Sequence, residues 1–327
     1  MIICNCLIIK IAYVDGARAL SLAWLRRVRL SLSRNEPVDV LRNKIDQIDE
    51  KIVSLLNDRA SLAQKIGRSK SVNHQEVYAP HREKEVLERV CELNHGPLSA
   101  QVIGAVFREI ISGCRGLEGP LNVSFFGAEA TYTHLAAREK FGSAANLRST
   151  ASISEVFQEV SQGRADFGVV PIENSTEGAV THTFDLLVDT DLQICAEIFL
   201  EIHHNLLSRS GRAADVKGII SHPQALAQCR RWLARHFPSI PIDEVASTAH
   251  AAMKAAADGS LAAISSVMAR EVYDLQTVSA SIEDQSNNIT RFVVIGKLQP
   301  KPSGDDKTSL VFSVQDKPGV LHRMLQP

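Results

Sequence analysis

One uninterrupted amphipathic stretch constrains the fold of this chain more than any other feature. No proline occurs between Val38 and Lys70, and the first glycine there is Gly67. Apolar residues recur along the stretch in steps of four and three, at Leu41, Ile45, Ile48, Ile52, Leu55, Leu62 and Ile66. This spacing places them on one face of a single long helix with a coiled-coil-like seam.

Two shorter helices are predicted next, one beginning at Pro80 and one carrying the apolar residues between Val102 and Leu117. Three helices cannot bury the long seam alone, so the sequence predicts a homodimer through this domain. Gly119-Pro120 ends the helical domain, because short apolar runs between helical stretches follow it. These runs predict the strands of an α/β domain, at Val123–Phe126, Phe167–Val170, Gly218–Ile220, Leu261–Ile264 and Phe292–Ile295.

The composition narrows the classes of function. The chain has 327 residues, 45% of them hydrophobic, which is enough for two domains with their own cores. Its formal net charge of -1 gives no reason to expect a nucleic acid or a membrane surface as partner. Six cysteines without a C-x-x-C pair predict reduced thiols in a cytoplasmic protein, and no metal-ligand spacing occurs.

Residues 1–35 are interpreted as an N-terminal extension that is disordered or arises from a mis-assigned start codon. Their arginines follow the apolar run Met1–Ala12, whereas a signal peptide carries its charge before that run. A transit peptide is the alternative interpretation, because the stretch is rich in arginine and contains serine.

Basic residues interrupt the apolar face of the long helix. Arg59 lies in the seam, and Lys70 lies about 20° from it around the helix axis, whereas Arg42 lies about 100° away. Cations on an apolar face need anions nearby. Two hypotheses follow: the cations bind a small ligand with several carboxylates, or they form structural ion pairs and rim contacts.

Residues 36–118 resemble the all-helical chorismate mutase family. The motifs are Leu41-Arg42, Asp58-Arg59, Lys65-x-Gly67-x-x-Lys70 and Arg82-Glu83. The family implies an intertwined dimer whose sites combine residues of one chain with Arg42 of the partner subunit. It implies substrate binding by Arg42, Arg59, Lys70, Arg82, Glu83, Cys114 and Glu118, with Arg59, Lys70 and Glu118 catalytic. Glu118 stands where some relatives carry glutamine, and a carboxyl donates a hydrogen bond only when it is protonated.

Four short polar segments lie at the ends of predicted strands: Gly127–His134, Val170–Ser175, Ser221–Gln224 and Asn288–Phe292. Each by itself is typical of a turn or a helix cap. Four such segments in one α/β domain favour a ligand site, because ligands bind at the ends of strands in open sheets.

Residues 121–297 resemble prephenate dehydratase, through Thr290-Arg291-Phe292 and the Pro-Ile-Glu-Asn and Ser-His-Pro-Gln segments. The family implies two α/β lobes, like those of periplasmic binding proteins, with the site in the cleft between them. It implies Thr290 as the key catalytic residue, and no cofactor or metal. The other implied substrate-binding residues are Thr131, Glu173, Asn174, Ser175, Ser221, His222, Gln228 and Arg291. Two interpretations of Arg291 are open, a carboxylate ligand or a structural residue.

Two features depart from these families. Ala128 and Ala130 stand where dehydratases usually carry proline and glycine, and Ala130 costs about 1 kcal/mol if its φ is positive.

After a linker at residues 298–308, residues 309–327 resemble the opening of an amino-acid-binding ACT domain. Gly319-Val320-Leu321-His322 matches its first effector-contact segment, and Ser309–Val314 predicts a strand. The expectation is a truncated regulatory domain and loss of feedback by phenylalanine.

Together these features predict a bifunctional enzyme of phenylalanine biosynthesis that converts chorismate to prephenate and prephenate to phenylpyruvate. Two alternatives are a two-lobed small-molecule-binding protein fused to a helical dimerisation domain, and an inactive gene product. The first does not explain the complete Thr290-Arg291-Phe292 segment.

Overall fold

The computed structural model describes residues 36–72, 78–176, 178–299, 302, 304, 306–310, 319–324 and 326. The predicted extension at 1–35 lies outside the described residues, as does most of the predicted strand Ser309–Val314. Within the described part of the chain, no helix is both long enough and apolar enough to cross a membrane.

Within residues 36–72 and 78–121, three helices precede the first strand, as the periodicity predicts. They are α1 (Val38–Val72), α2 (Pro80–Glu92) and α3 (Ala100–Glu118). Proline starts α2, where its missing N–H costs nothing. Ser99 caps α3 by accepting a hydrogen bond from the Val102 N–H at 3.3 Å.

The chain divides into two compact units, residues 1–58 and 59–327. In the described part of the first unit, the seam of α1 is exposed: Ile45 retains 56% of its accessible surface and Leu55 retains 66%. In the second unit, Leu62 and Ile66 on the same helix are also exposed. Among the described residues of the chain, the apolar face of α1 is therefore largely exposed.

The α/β region begins with a six-stranded sheet in the order β2-β1-β3-β11-β5, with β4 pairing β3. Its strands are β1 (Asn122–Phe126), β2 (Asn146–Thr150), β3 (Phe167–Asn174), β4 (Gly178–Ala179), β5 (Gln193–Glu201) and β11 (Ile289–Gly296). Helices α4 (Tyr132–Phe141), α5 (Ile153–Ser161) and α6 (Thr181–Val188) belong to this lobe. The last strand, β11, runs antiparallel between β3 and β5.

A five-stranded sheet in the order β10-β6-β9-β7-β8 forms the second lobe. Its strands are β6 (Asn205–Ser208), β7 (Gly218–Ser221), β8 (Ile242–Glu244), β9 (Leu261–Ser265) and β10 (Gln276–Ser279). Its helices are α7 (Pro223–Gln228), α8 (Arg230–His236), α9 (Thr248–Ala257) and α10 (Met268–Val272). Each of the five predicted strand segments lies within one of these eleven strands.

Two crossings of the chain join the lobes. The first lies between the end of β5 and the start of β6, and the second lies between β10 and β11. A short helix, α11 (Val320–Met324), includes part of the predicted effector segment.

Helix α3 also packs against the first lobe. The Ser112 hydroxyl donates to the Phe141 carbonyl at 2.9 Å and accepts from the Ala144 N–H at 3.2 Å. Gly142 has a φ of +73°, and a Cβ there would lie 2.4 Å from the Ser112 Cβ. This junction therefore requires glycine.

Candidate active sites

Thr290 is buried at the start of β11, beside the end of β3. The two strands pair Thr290 with Asn174, and the Asn174 Nδ2 donates to the Thr290 Oγ1 at 2.7 Å. The same amide nitrogen donates to the Asn288 Oδ1 at 3.1 Å. Residues that are 116 positions apart in the chain thus share one hydrogen-bonded cluster.

The cluster continues into the second lobe through Gln228, the last residue of α7. The Asn288 Nδ2 donates to the Gln228 Oε1 at 2.9 Å, and the His204 Nε2 lies 2.6 Å from the same oxygen. The Gln228 Nε2 is buried and has no hydrogen-bond partner among the described residues. An unpaired buried amide donor is costly, so this N–H needs an acceptor such as a water molecule or a bound ligand.

His204 lies in the first crossing between the lobes and is almost completely buried. The Tyr132 hydroxyl lies 2.8 Å from its Nδ1, and the Glu283 carboxylate accepts from its backbone N–H at 2.9 Å. Burial lowers the pKa of His204, and burial also raises the pKa of Tyr132. Both side chains are therefore neutral near neutral pH.

Four of the predicted polar residues make hydrogen bonds to backbone groups. Ser175 donates to the Asn287 carbonyl at 3.1 Å and accepts from the Ile289 N–H at 2.9 Å. The completely buried Ser221 donates to the Ile264 carbonyl at 2.7 Å. The side chains of Thr131 and His222 accept from backbone N–H groups at the N-termini of α4 and α7.

Arg291 and Glu173 face away from Thr290, because successive residues on a strand point to opposite faces of the sheet. Arg291 pairs with Glu173 at 3.4 Å and makes a shorter bond to Glu197. The hydrogen bond to Glu197 raises the pKa of Arg291. Lys307 also pairs with Glu197, at 2.8 Å. The structure thus joins Glu173 to Arg291 and separates both from Asn174.

Ala130 adopts a positive φ of +65°, a backbone conformation in which alanine is strained. Its N–H donates to the His134 Nδ1 at 3.0 Å, and its carbonyl accepts from the Ser266 hydroxyl at 2.8 Å. These bonds fix the turn before α4 although alanine is strained in it.

In the helical region, Lys70 and Glu118 form an ion pair. The Lys70 Nζ lies 3.3 Å from the Glu118 Oε2, and both side chains are mostly buried. A Cβ at Gly67 would lie 2.9 Å from the Glu118 Cβ, so glycine allows the end of α3 to approach α1. Cys114, one turn before Glu118, is buried.

Glu83 forms the second ion pair of this region, with Arg115 at 2.5 Å. Arg115 is buried and also donates to the Phe141 carbonyl of the first lobe. Its guanidinium carbon lies 5.3 Å from the centre of the Tyr78 ring. By contrast, Arg82 pairs with Glu85 on the surface.

The other two predicted cations of the mutase are less enclosed. Arg42 is exposed and pairs with Asp39 at 3.3 Å, and Arg59 is half-buried. In one chain, the predicted mutase residues therefore come together as Lys70 with Glu118, while Glu83 is held by Arg115.

Comparison with known proteins assigns these two regions. Residues 41–119 match the chorismate mutase type II family, and residues 123–300 match the prephenate dehydratase family. A bifunctional chorismate mutase/prephenate dehydratase of Pseudomonas aeruginosa is 43% identical over 302 residues, covering 90% of this chain and 83% of the relative. The chain belongs to this bifunctional family. The Aquifex aeolicus relative is 42% identical, with 89% of this chain and 82% of that one covered.

A solved prephenate dehydratase from Arthrobacter aurescens, in complex with L-Phe, is 32% identical to the region it matches. It aligns with a TM-score of 0.58 over 63% of this chain and 71% of that chain. The expected two-lobed dehydratase fold is thereby confirmed. The bifunctional chorismate mutase/prephenate dehydratase is an enzyme of phenylalanine biosynthesis, and it makes prephenate from chorismate and phenylpyruvate from prephenate.

His204 and Arg115 take part in these clusters but lie outside the segments and site residues predicted from the sequence. Asn288 is the first residue of the predicted segment Asn288–Phe292, although it was not among the predicted site residues. Arg115 follows Cys114 on a helix whose neighbouring residues are apolar, which is the signal that marked Arg59. His204 had no comparable signal, because its partners Gln228 and Tyr132 are 24 and 72 positions away.

Proposed function

We propose that the dehydratase site of this enzyme is centred on Thr290, with Asn174, Ser175, Ser221, His222, Gln228 and Thr131 around the substrate. The observation that carries the proposal is the hydrogen-bonded cluster linking Thr290 to Gln228 across the two lobes. It supplies fixed polar groups at the junction of the sheets, where a ligand is enclosed by both lobes.

The chemistry of prephenate matches these groups. Prephenate loses carbon dioxide and a ring hydroxyl, and formation of the aromatic ring drives the reaction. The enzyme must assist departure of the hydroxyl, bind the carboxylates and exclude water. Thr290 receives a hydrogen bond from Asn174, so its own proton is available for the departing hydroxyl. The buried Gln228 amide donates to a carboxylate.

Glu173 and Arg291 have a supporting role in this proposal. Their ion pair lies on the opposite face of the strands that carry Asn174 and Thr290. Arg291 is also bonded to Glu197, so its charge is already compensated. We therefore favour the structural interpretation of Arg291 over the carboxylate ligand.

For the mutase, we propose a site shared between two chains, in the helical domain at residues 36–118. Arg59, Lys70, Arg82, Glu83, Cys114 and Glu118 come from one chain, and Arg42 comes from the partner subunit. Chorismate carries two carboxylates and rearranges without a covalent intermediate, so the enzyme acts by binding the compact conformer and stabilising the breaking ether bond. The arginines bind carboxylates, and Lys70 and Glu118 face the ether oxygen.

The uncovered seam of α1 supports the homodimer. Leu55 and Leu62 expose apolar surface of the kind that associating helices bury. We also place the enzyme in the cytoplasm, in keeping with its cysteine pattern. The dehydratase domain extends over 121–297 and the linker over 298–308, and residues 309–327 resemble the opening of an ACT domain. Loss of phenylalanine feedback stays a prediction.

The direct test is to supply chorismate to the purified protein and follow prephenate and phenylpyruvate separately. We expect both products to form in sequence, and light scattering to give the mass of a dimer. Prephenate without phenylpyruvate would contradict the proposed dehydratase site, and an active mutase that remains monomeric would contradict the shared site.

A further inference from the structure

One backbone N–H group determines which atoms donate and which accept in the hydrogen-bonded cluster beside Thr290. The Thr176 N–H donates to the Asn174 Oδ1 at 2.9 Å. A backbone N–H is always a donor, so the amide oxygen of Asn174 must face it. The Asn174 Nδ2 therefore donates to the Thr290 Oγ1 and the Asn288 Oδ1.

The orientation of the Asn174 amide in turn determines the donors and acceptors of the next side chains. Because the Asn288 oxygen accepts from Asn174, its nitrogen faces Gln228 and donates to the Gln228 oxygen. The Gln228 Oε1 has only acceptor capacity, so the His204 nitrogen 2.6 Å away must carry a hydrogen. The His204 ring is therefore protonated at Nε2.

A neutral imidazole carries one hydrogen, which leaves the His204 Nδ1 as an acceptor. The Tyr132 hydroxyl lies 2.8 Å from this Nδ1 and 3.0 Å from the His203 carbonyl oxygen. Its single proton goes to Nδ1, because that nitrogen has no other donor among the described residues. Burial lowers the pKa of His204, which agrees with the neutral ring.

We propose that His204, oriented by Tyr132, is a positioning residue of the dehydratase. The Nε2–H of His204 holds the Gln228 Oε1, so that the Gln228 Nε2–H points toward the substrate. The inference rests on the proposed dehydratase site at Thr290. Without the His204 donor, the Gln228 Oε1 keeps only the hydrogen bond from Asn288, so the amide of Gln228 is held less firmly. The group it would bind is an anionic carboxylate, because a buried amide N–H needs a strong acceptor.

Two substitutions of similar size separate the two ring nitrogens of His204. His204→Gln can place an amide N–H near the position of Nε2, whereas the amide of His204→Asn reaches only the position of Nδ1. We expect His204→Asn to raise the dehydratase KM for prephenate about tenfold, the scale of one lost hydrogen bond to a charged group, with a smaller change in kcat. His204→Gln should restore most of the affinity, and Tyr132→Phe should raise KM less.

Mutase activity of the same chain is the internal control, and His203→Asn is the neighbouring control. A purely structural role for His204 would reduce the folded fraction, which lowers the apparent kcat and leaves KM unchanged. That result, or equal KM values for His204→Asn and the unsubstituted enzyme, would overturn the proposal. If Thr290→Ala keeps dehydratase activity, the proposed site itself is wrong; if it is inactive while His204→Asn is normal, only the positioning role is wrong.

The tautomer gives a test independent of activity. Nitrogen-15 NMR of the free enzyme labelled at histidine should show one buried ring protonated at Nε2, with Nδ1 accepting a hydrogen bond. The signal should disappear in both His204→Gln and His204→Asn. A His204 ring protonated at Nδ1 would overturn the proposed direction of the cluster.

Discussion

The two catalytic regions of this enzyme differ in how much of each site one chain supplies. In the dehydratase, Thr290, Asn288 and His204 are buried and hydrogen-bonded within a single chain. In the mutase, the Arg42 side chain is 72% exposed, and the seam residue Leu55 keeps 66% of its surface. The described residues of one chain thus enclose the predicted dehydratase residues, and they leave Arg42 and the seam of α1 exposed.

The physical cause lies in the two architectures. Strands brought together in a sheet align residues from distant parts of one chain, as β3 and β11 do for Asn174 and Thr290. A helix of 35 residues extends about 50 Å, too far for two short helices of the same chain to cover. This is the physical reason for our proposal that a partner subunit covers the helix and shares the mutase site.

The largest expected effect separates the two regions completely. Thr290→Ala should abolish phenylpyruvate formation and leave prephenate formation from chorismate nearly unchanged, because the two sites have separate residues. Thr290→Ser, which keeps the hydroxyl, is the matched control and should retain part of the activity. Equal loss of both activities in Thr290→Ala would show that the two regions do not function independently.

Mixing two inactive variants tests whether the mutase site is shared. Arg42→Ala and Arg59→Ala should each lose mutase activity, and their refolded mixture should recover part of it. A mixed dimer contains one site without either substitution if Arg42 serves the partner subunit. Each variant refolded alone is the control. Proven heterodimers without recovered activity would mean that both arginines act within one chain.

Arg115 forms a buried ion pair with Glu83 of the helical region and also contacts the first lobe, so its substitution tests a structural contact. Arg115→Leu leaves the Glu83 carboxylate without its buried cation and should lower the free energy of unfolding by about 3–5 kcal/mol. Denaturant unfolding measures this change. Glu85→Leu, which removes an exposed ion pair with Arg82, should cost about 0–1 kcal/mol. Similar losses in the two variants would argue against a structural role for the Arg115 contact.

The buried histidine predicts a dependence of stability on pH. Burial lowers the folded-state pKa of His204, so its unfolded form binds a proton more readily. The stability that neutral His204 contributes is fully present above the pKa of the unfolded state. It is lost as the pH falls through the lower pKa of the folded state. Melting temperatures of the unsubstituted protein and His204→Gln should therefore converge at acidic pH. Parallel curves over this range would exclude a neutral buried His204.

The smallest expected effect concerns the edge of the dehydratase site. Ala130→Gly should raise the free energy of unfolding by about 1 kcal/mol, because glycine tolerates the positive φ at this position. Ala137→Gly, inside α4, is the control and should lower it by a similar amount. A destabilised Ala130→Gly protein would show that the methyl group of this buried alanine matters more than the backbone strain.

Periodicity and composition were sufficient to predict the helices and the change to an α/β domain. The steps of four and three in α1 and the short apolar runs reflect local rules, which hold for any chain with those patterns. The segments that contain Asn174 and Thr290 were also recognisable as candidate site segments, and the resemblance to prephenate dehydratase implied Gln228. For Ala130, the free-energy cost of a positive φ could be stated from the sequence, and the structure supplied the value of φ.

Only the tertiary structure decided which polar groups meet. Gln228 and Asn288 are 60 positions apart, and no local pattern says that their side chains touch. Adjacent residues in a recognised segment, Glu173 and Asn174, separate onto opposite faces of a strand, so proximity in sequence did not make them neighbours in the site. His204 and Arg115 lie in different clusters, and each acquires its role because distant segments of the chain bury it beside its partners. Burial makes the choice of hydrogen-bond partner energetically decisive.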